Sequence, residues 1–235
     1  MISIKNLQFQ YPRADFSLQL SDLEVAAGEK VAFVGPSGCG KTTLLNLIAG
    51  IVTPDSGSVV TAGANVGLMS GAQRRDFRIS NIGLVFQQFE LIDYLDLKAN
   101  ILLPFAINRS LKHSKEIEAR AIGLAQEMGL GSKLKRFPGQ LSQGEKQRCA
   151  ICRALITEPR LILADEPTGN LDPKNKLAIM DLMFQQAERF GQTLVMVTHD
   201  MSILGGMDRT IDFEQFRRDT DDVPANVSET TEASS

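Results

Sequence analysis

Nine residues, Gly35-Pro36-Ser37-Gly38-Cys39-Gly40-Lys41-Thr42-Thr43, limit the folds open to this chain more than any other stretch. They are preceded by the short apolar run Val31-Ala32-Phe33-Val34, which suits a strand covered on both faces. They are followed by Leu44, Leu45, Leu47 and Ile48 at helical spacing, with Gly50 as a stop. A strand therefore enters a tight glycine loop that opens a helix. In that geometry the unpaired amides of the loop and the first helical turn converge, and the helix dipole adds positive charge at the same spot. Such a loop cradles polyphosphate. Lys41 supplies a cation for the outer phosphates, and Thr42 the hydroxyl that such loops give to magnesium. An incidental glycine-rich turn would not be expected to set strand, lysine and hydroxyl in this order.

The class of the remaining chain follows from its size and charge. With 235 residues and 43% apolar content, it can bury a full core, so one nucleotide domain with smaller appended lobes is expected. A net charge of −3 and a pI near 5.5 set aside a protein that grips nucleic acid through backbone phosphates. Neither a leader peptide nor a run of about 18 apolar residues is visible, so a chain that is neither exported nor membrane-spanning is expected. Three cysteines, two of them (Cys149 and Cys152) within a helical pattern, read as small core residues in a reducing compartment. Zinc binding by that C-x-x-C would need a second ligand pair.

Residues 2–9 alternate through Ile2, Ile4, Leu7 and Phe9, and a second alternation runs through Phe16, Leu18 and Leu20. Both predict strands of an antiparallel sheet exposed on one face. Tyr11, before the turn forced by Pro12, fits an aromatic that stacks on a base and equally an ordinary tyrosine at a strand end. Residues 54–70 predict a hairpin and loop returning to this lobe. Ile82–Phe86 is a buried strand delivering Gln87, an amide placed to reach a ligand or simply a polar terminus. From Leu91 to Pro159 the pattern turns helical, with Ile117, Ala121, Leu124 and Met128 in one stripe. Ser142 and Glu145 have the spacing of a capping box, so a helix starts at Ser142. Capping alone accounts for that pair, but Gly144 bares the first-turn amides and would suit a second anion site.

Leu161–Glu166 predicts a buried strand ending in two acids that cannot share a dry core. If that strand lies beside the phosphate loop, Asp165 can hold the magnesium shell while Glu166 polarises a water. A last strand, Thr193–Thr198, delivers His199 to the same edge. His113 falls in a polar loop and carries no signal.

In order and spacing, Gly35–Thr43, Gln87, Leu141–Arg148, Leu161–Glu166, Gly169–Asp172 and His199 resemble the nucleotide-binding subunits of ABC transporters, over residues 1–213. Asp165–Asp172 looks most like the subgroup serving lipoprotein release, macrolide export and a cell-division complex. The resemblance implies an α/β P-loop core with a parallel sheet, an N-terminal antiparallel β lobe and an inserted α-helical lobe at about 88–158. It implies ATP and Mg2+ as cofactors, with Tyr11 on adenine and Gly35, Pro36, Ser37, Gly38, Cys39, Gly40, Lys41, Thr42 and Thr43 around the phosphates. Thr42, Gln87 and Asp165 would serve the metal. Glu166 would be the base, with His199 positioning water and phosphate. Ser142 and Gly144 would contact ATP bound to a second, head-to-tail copy or homologous subunit, and Asp172 would couple the two sites. An integral-membrane permease, docked near Gln87–Pro104 and the helical lobe, would be the further partner, with the chain peripheral on the cytoplasmic face. A nucleotide-gated clamp of a non-transport complex is the alternative. Gln143 and Glu145 depart from the family's usual glycine and glutamine. Residues 1–216 are expected to form the domain, and 217–235 a disordered acidic, Ser/Thr-rich tail.

Overall fold

The computed structural model describes residues 1–12 and 16–216, so the expected tail lies outside the described residues. The strands are β1 (Ile2–Gln10), β2 (Ser17–Val25), β3 (Lys30–Val34), β4 (Ser56–Thr61), β5 (Ala64–Asn65), β6 (Ile82–Phe86), β7 (Leu161–Asp165), β8 (Thr193–Thr198) and β9 (Arg209–Asp212). The helices are α1 (Lys41–Ile48), α2 (Gly71–Asn81), α3 (Leu97–Ile107), α4 (Lys115–Glu127), α5 (Gln143–Leu155) and α6 (Pro173–Arg189). Among the described residues the strands form two sheets: an antiparallel one ordered β2-β1-β4-β5 and a parallel one ordered β6-β7-β8-β3-β9. This is the α/β architecture expected from the sequence.

The first sheet explains a break of phase in its own sequence. Along β1 the buried residues are Ile2 and Ile4, then Leu7 and Phe9, so the alternation slips by one residue. A bulge absorbs the slip: Asn6 has φ +49°, and the pairing with β4 shifts between Lys5 and Gln8. Gly57 on the partner strand is required there, because a Cβ would stand 2.2 Å from the Asn6 carbonyl oxygen. The β2 pattern matches, pairing Val25, Leu23, Leu20 and Leu18 with Ile2, Ile4, Leu7 and Phe9. One face of the β1–β2 pair is thereby apolar throughout.

The parallel sheet is covered on both faces, and alternate residues of each strand serve different cores. Val31, Phe33, Leu161, Leu163, Val195 and Val197 pack with α1 and the antiparallel sheet. Ala32, Ile162, Ala164, Leu194 and Met196 pack with α3, α4, α5 and α6. One expectation needs correction. Thr193–Thr198 is not the last strand, since β9 adds an edge beside β3. It escapes detection because it is four residues long and mostly exposed. In the sheet, β8 runs between β7 and β3, the strand that feeds the phosphate loop. All the same, the carboxyl ends of β3, β6, β7 and β8 open on one rim, where ligands of open α/β sheets bind.

Candidate active site

The loop between β3 and α1 presents backbone donors with nothing of its own to cap them. Gly40 occupies the N-cap of α1 at φ +106°, no side chain caps this helix, and no acid sits in its first turn. Gly40 is also sterically fixed, since a Cβ there would lie 2.5 Å from Phe16 Cζ. Lys41 is 7% exposed, and its Nζ donates to the carbonyl oxygens of Gly35 (2.7 Å) and Pro36 (2.8 Å). The ammonium is thus held inside the loop by the loop's own oxygens. Cys39 Sγ lies 3.8 Å from the same nitrogen.

Although β8 intervenes, the first turn of α1 reaches across it: Thr42 Oγ1 donates to Asp165 Oδ1 at 3.2 Å. Burial raises the Asp165 acid above its ordinary value, partly offset by that hydroxyl. The next residue, Glu166, has φ +46°, a left-handed conformation that a residue with a Cβ adopts at a cost. Its backbone is pinned, the N–H donating to Val197 O (3.0 Å) and the carbonyl accepting from Gly169 N (3.0 Å). Its side chain is gripped on both oxygens. Thr198 Oγ1 donates to Oε2 at 3.1 Å, and His199 Nδ1 stands 2.8 Å from Oε1, donating in the Nδ1-protonated tautomer. The ends of β7 and β8 therefore fix one carboxylate at the rim.

Gln87 leaves β6 exposed and joins the loop after Glu166: its carbonyl accepts from Asn170 Nδ2 at 2.8 Å, and a Cβ on Gly169 would meet its Nε2 at 2.7 Å. Tyr11 is half-buried, edge-on to Phe9 with centroids 4.7 Å apart and 6.4 Å from Phe16, the ring that crowds Gly40. The rings of Tyr11 and Phe16 are thus grouped at the loop. Ser142 caps α5 as predicted: it accepts from Glu145 N, and Glu145 Oε2 accepts from Ser142 N at 2.8 Å. Lys133 pairs with the other oxygen of Glu145 and, with that amide, draws the Glu145 acid down to about 2. Gly144 is buried against α6, where a Cβ would sit 3.4 Å from Asn175 Oδ1. Asn175 in turn donates from Nδ2 to Asp172, the N-cap of α6, at 2.6 Å. Lys41, Thr42, Asp165, Glu166 and His199 thus converge, and Gln87 joins them through Asn170. Ser142, Gly144 and Asp172 form a separate group around the starts of α5 and α6.

Sequence reasoning missed Phe16, Thr198, Asn170 and Asn175. Only Thr198 carried a signal, as the hydroxyl ending the strand that delivers His199. The cysteine pair is core: burial pushes the Cys149 thiol up to about 12 and the Cys152 thiol well above its ordinary value.

A phosphate loop, an acid-ended strand and a histidine on one sheet rim, flanked by a β lobe and a helical layer, define a P-loop nucleotide hydrolase. The chain matches the ABC transporter family over residues 18–169, and it belongs to that family. It is 44% identical over 190 residues to the "Lipoprotein-releasing system ATP-binding protein LolD" of Bacteroides fragilis, covering 81% of this chain and 87% of the relative. To an uncharacterized ABC transporter ATP-binding protein of Methanocaldococcus jannaschii it is 41% identical over 206 residues, 86% and 91% of the two chains. Among solved structures it resembles the ATP-binding cassette MJ0796, described as a dimeric post-hydrolysis state bound to ADP and Pi. The TM-score is 0.80 and the identity 35%, over 90% of this chain and 94% of that one. The chain is an ATPase of this family, with ATP and Mg2+ as its nucleotide and metal. The donors present suit that metal: the Thr42 hydroxyl and Asp165 carboxylate are hard oxygens, and magnesium bound with nucleotide commonly takes few protein ligands besides phosphate and water.

Proposed function

We propose that this chain is the ATP-hydrolysing subunit of a membrane complex that extracts or exports a lipoprotein-like cargo. Two copies, or one copy and a homologous subunit, close head-to-tail on two ATP molecules, and an integral-membrane partner receives the motion at the cytoplasmic face. Residues 1–216 act as one nucleotide-binding domain, with the helical lobe at about 88–158. The observation that carries the reading is the two-sided grip on Glu166 by Thr198 and His199, within the rim that also bears Lys41 and Thr42. The relatives named LolD support the cargo class, and the dimeric MJ0796 supports the pairing.

In this reading Lys41 exchanges its loop carbonyls for the outer phosphates, and Tyr11 stacks on the adenine. Thr42 and Asp165, with Gln87 nearby, would hold magnesium, which would supply neutralisation of phosphate charge. Glu166 accepts a proton from a water whose oxygen attacks the terminal phosphorus while the bond to ADP breaks. His199 keeps that carboxylate aimed and lies beside the phosphate. Ser142 and the bare amides near Gly144 cap the terminal phosphate held by the other copy, and Asp172 links the two sites.

Glu166→Gln keeps shape and hydrogen-bonding capacity but loses the charge that draws the proton. Magnesium–ATP should then bind and persist, and light scattering coupled to size exclusion should find a dimer with ATP but not with ADP or without nucleotide. Adding Gly144→Asp should abolish that dimer while a fluorescent ATP analogue still binds. A mass that stays monomeric in ATP would sink the sandwich, and a dimer that survives Gly144→Asp would reduce Ser142 to a helix cap.

A further inference from the structure

Immediately after Gln87 and Gln88 come two consecutive residues, Phe89 (φ +53°) and Glu90 (φ +50°), in the left-handed region. Neither is glycine, and single non-glycine residues there are uncommon, pairs more so. The grip on this turn comes from elsewhere in the chain. Near the end of α5, the Arg153 guanidinium donates from NH2 to Phe89 O at 2.6 Å and from NH1 to Glu90 O. Burial draws the guanidinium below its ordinary value.

The turn is joined at its other end to the rim. Gln87 accepts from Asn170 and packs on Gly169, and Gly169 donates to the Glu166 carbonyl. Glu90 and Arg153 also line a groove of about 700 Å3 together with Arg78, Leu103, Pro104 and Ile107. One guanidinium therefore ties α5, the wall of that groove and the loop of Glu166 together.

We infer that Arg153 is a positioning residue for hydrolysis: by forking onto the carbonyls of Phe89 and Glu90 it holds Gln87 against Gly169 and Asn170, and so keeps the Glu166 loop in register. The inference rests on the reading that Glu166 and Gln87 serve the terminal phosphate.

Four variants test it: Arg153→Met, Glu90→Gly, the two combined, and Arg153→Lys, with Glu166→Gln as a control for the underlying reading. Arg153→Met should lower kcat for ATP by about tenfold or more, and leave KM and ATP affinity within about twofold, because the Lys41 loop is untouched. Glycine at position 90 takes a positive φ without penalty, so Arg153→Met with Glu90→Gly should recover roughly half of the lost kcat. A merely structural arginine would instead lower the thermal midpoint and leave the kcat of the folded protein at the parental value. Parental kcat in Arg153→Met, or a double variant no faster than the single one, overturns the inference. Should Arg153→Met fail to fold, Arg153→Lys decides it by amide hydrogen exchange. The lysine side chain is one bond shorter and lacks the planar fork that reaches both carbonyls from position 153, so residues 88–95 should exchange faster than in the parent while α1 is unchanged. Equal protection overturns the inference. If Glu166→Gln hydrolyses ATP like the parent, the reading of Glu166 fails on its own; if it is inactive and Arg153→Met is unaffected, only the inference fails.

Discussion

Asp165, proposed above as a magnesium ligand, costs the fold stability when it is ionised. Burial raises its acid above the ordinary 3.8, so the ionised form is the one the fold disfavours. The unfolded chain ionises near 3.8, and the folded chain does so at higher pH. The penalty therefore appears as pH rises through that window and is fully present above it. Asp165→Asn should accordingly raise the thermal midpoint of the nucleotide-free chain at pH 7, with the gain shrinking as pH falls toward 4, and should remove the magnesium-dependent part of ATP binding. Thermal scans across pH, and titrations with and without magnesium, check both halves. A midpoint at pH 7 no higher than the parent's would mean that the Thr42 hydroxyl and Lys41 already offset the burial. Both acids at the end of β7 were legible in the sequence, because a buried strand cannot end in adjacent carboxylates without a reason. The left-handed backbone of Glu166 and its grip by Thr198 were not, since they depend on which strand lies next to β7.

The start of α5 shows what a capping pattern reveals and what it hides. Ser142 and Glu145, three residues apart, announced the helix. Lys133, twelve residues before Glu145 in an aperiodic stretch, did not announce the ion pair that completes the cap. The Glu145 acid is depressed to about 2, so its contribution is fully present above the ordinary 4.5 and is lost as pH falls through about 2. Lys133→Met removes the largest cause of that depression. The acid limb of unfolding, followed by circular dichroism, should move to higher pH, while Glu145→Gln should flatten the part due to this group. An unmoved limb in Lys133→Met would assign the depression to the Ser142 amide alone. One element was invisible. α2 buries none of its residues and has no apolar stripe, although Ser70 and Gln73 form a capping box at its start. Leu97, inside the expected docking segment Gln87–Pro104, begins α3 behind the Asp96 cap and is fully buried.

At the level of the assembly, that same segment separates into an inner and an outer part. Leu97 and Ile101 belong to the helical core, whereas Tyr94 is 81% exposed and Asp93 lies beside it at the surface. Reversing charge at Asp93, as in Asp93→Lys, should weaken recovery of the membrane partner and slow transport without changing ATP binding. Unchanged recovery with unchanged transport would count against docking at this segment. The phosphate loop, so plain in the sequence, depends in three dimensions on residues far along the chain. Phe213, fully buried just past β9, packs beneath it, 6.1 Å from the Phe33 ring and 3.4 Å from where a Cβ of either Gly35 or Gly40 would lie. The strand that feeds the loop is flanked by β8 and β9, both late in the chain. During synthesis, residues 35–43 would leave the ribosome long before either neighbour or the aromatic floor exists, so this early motif can acquire its shape only after the chain has been made as far as Phe213.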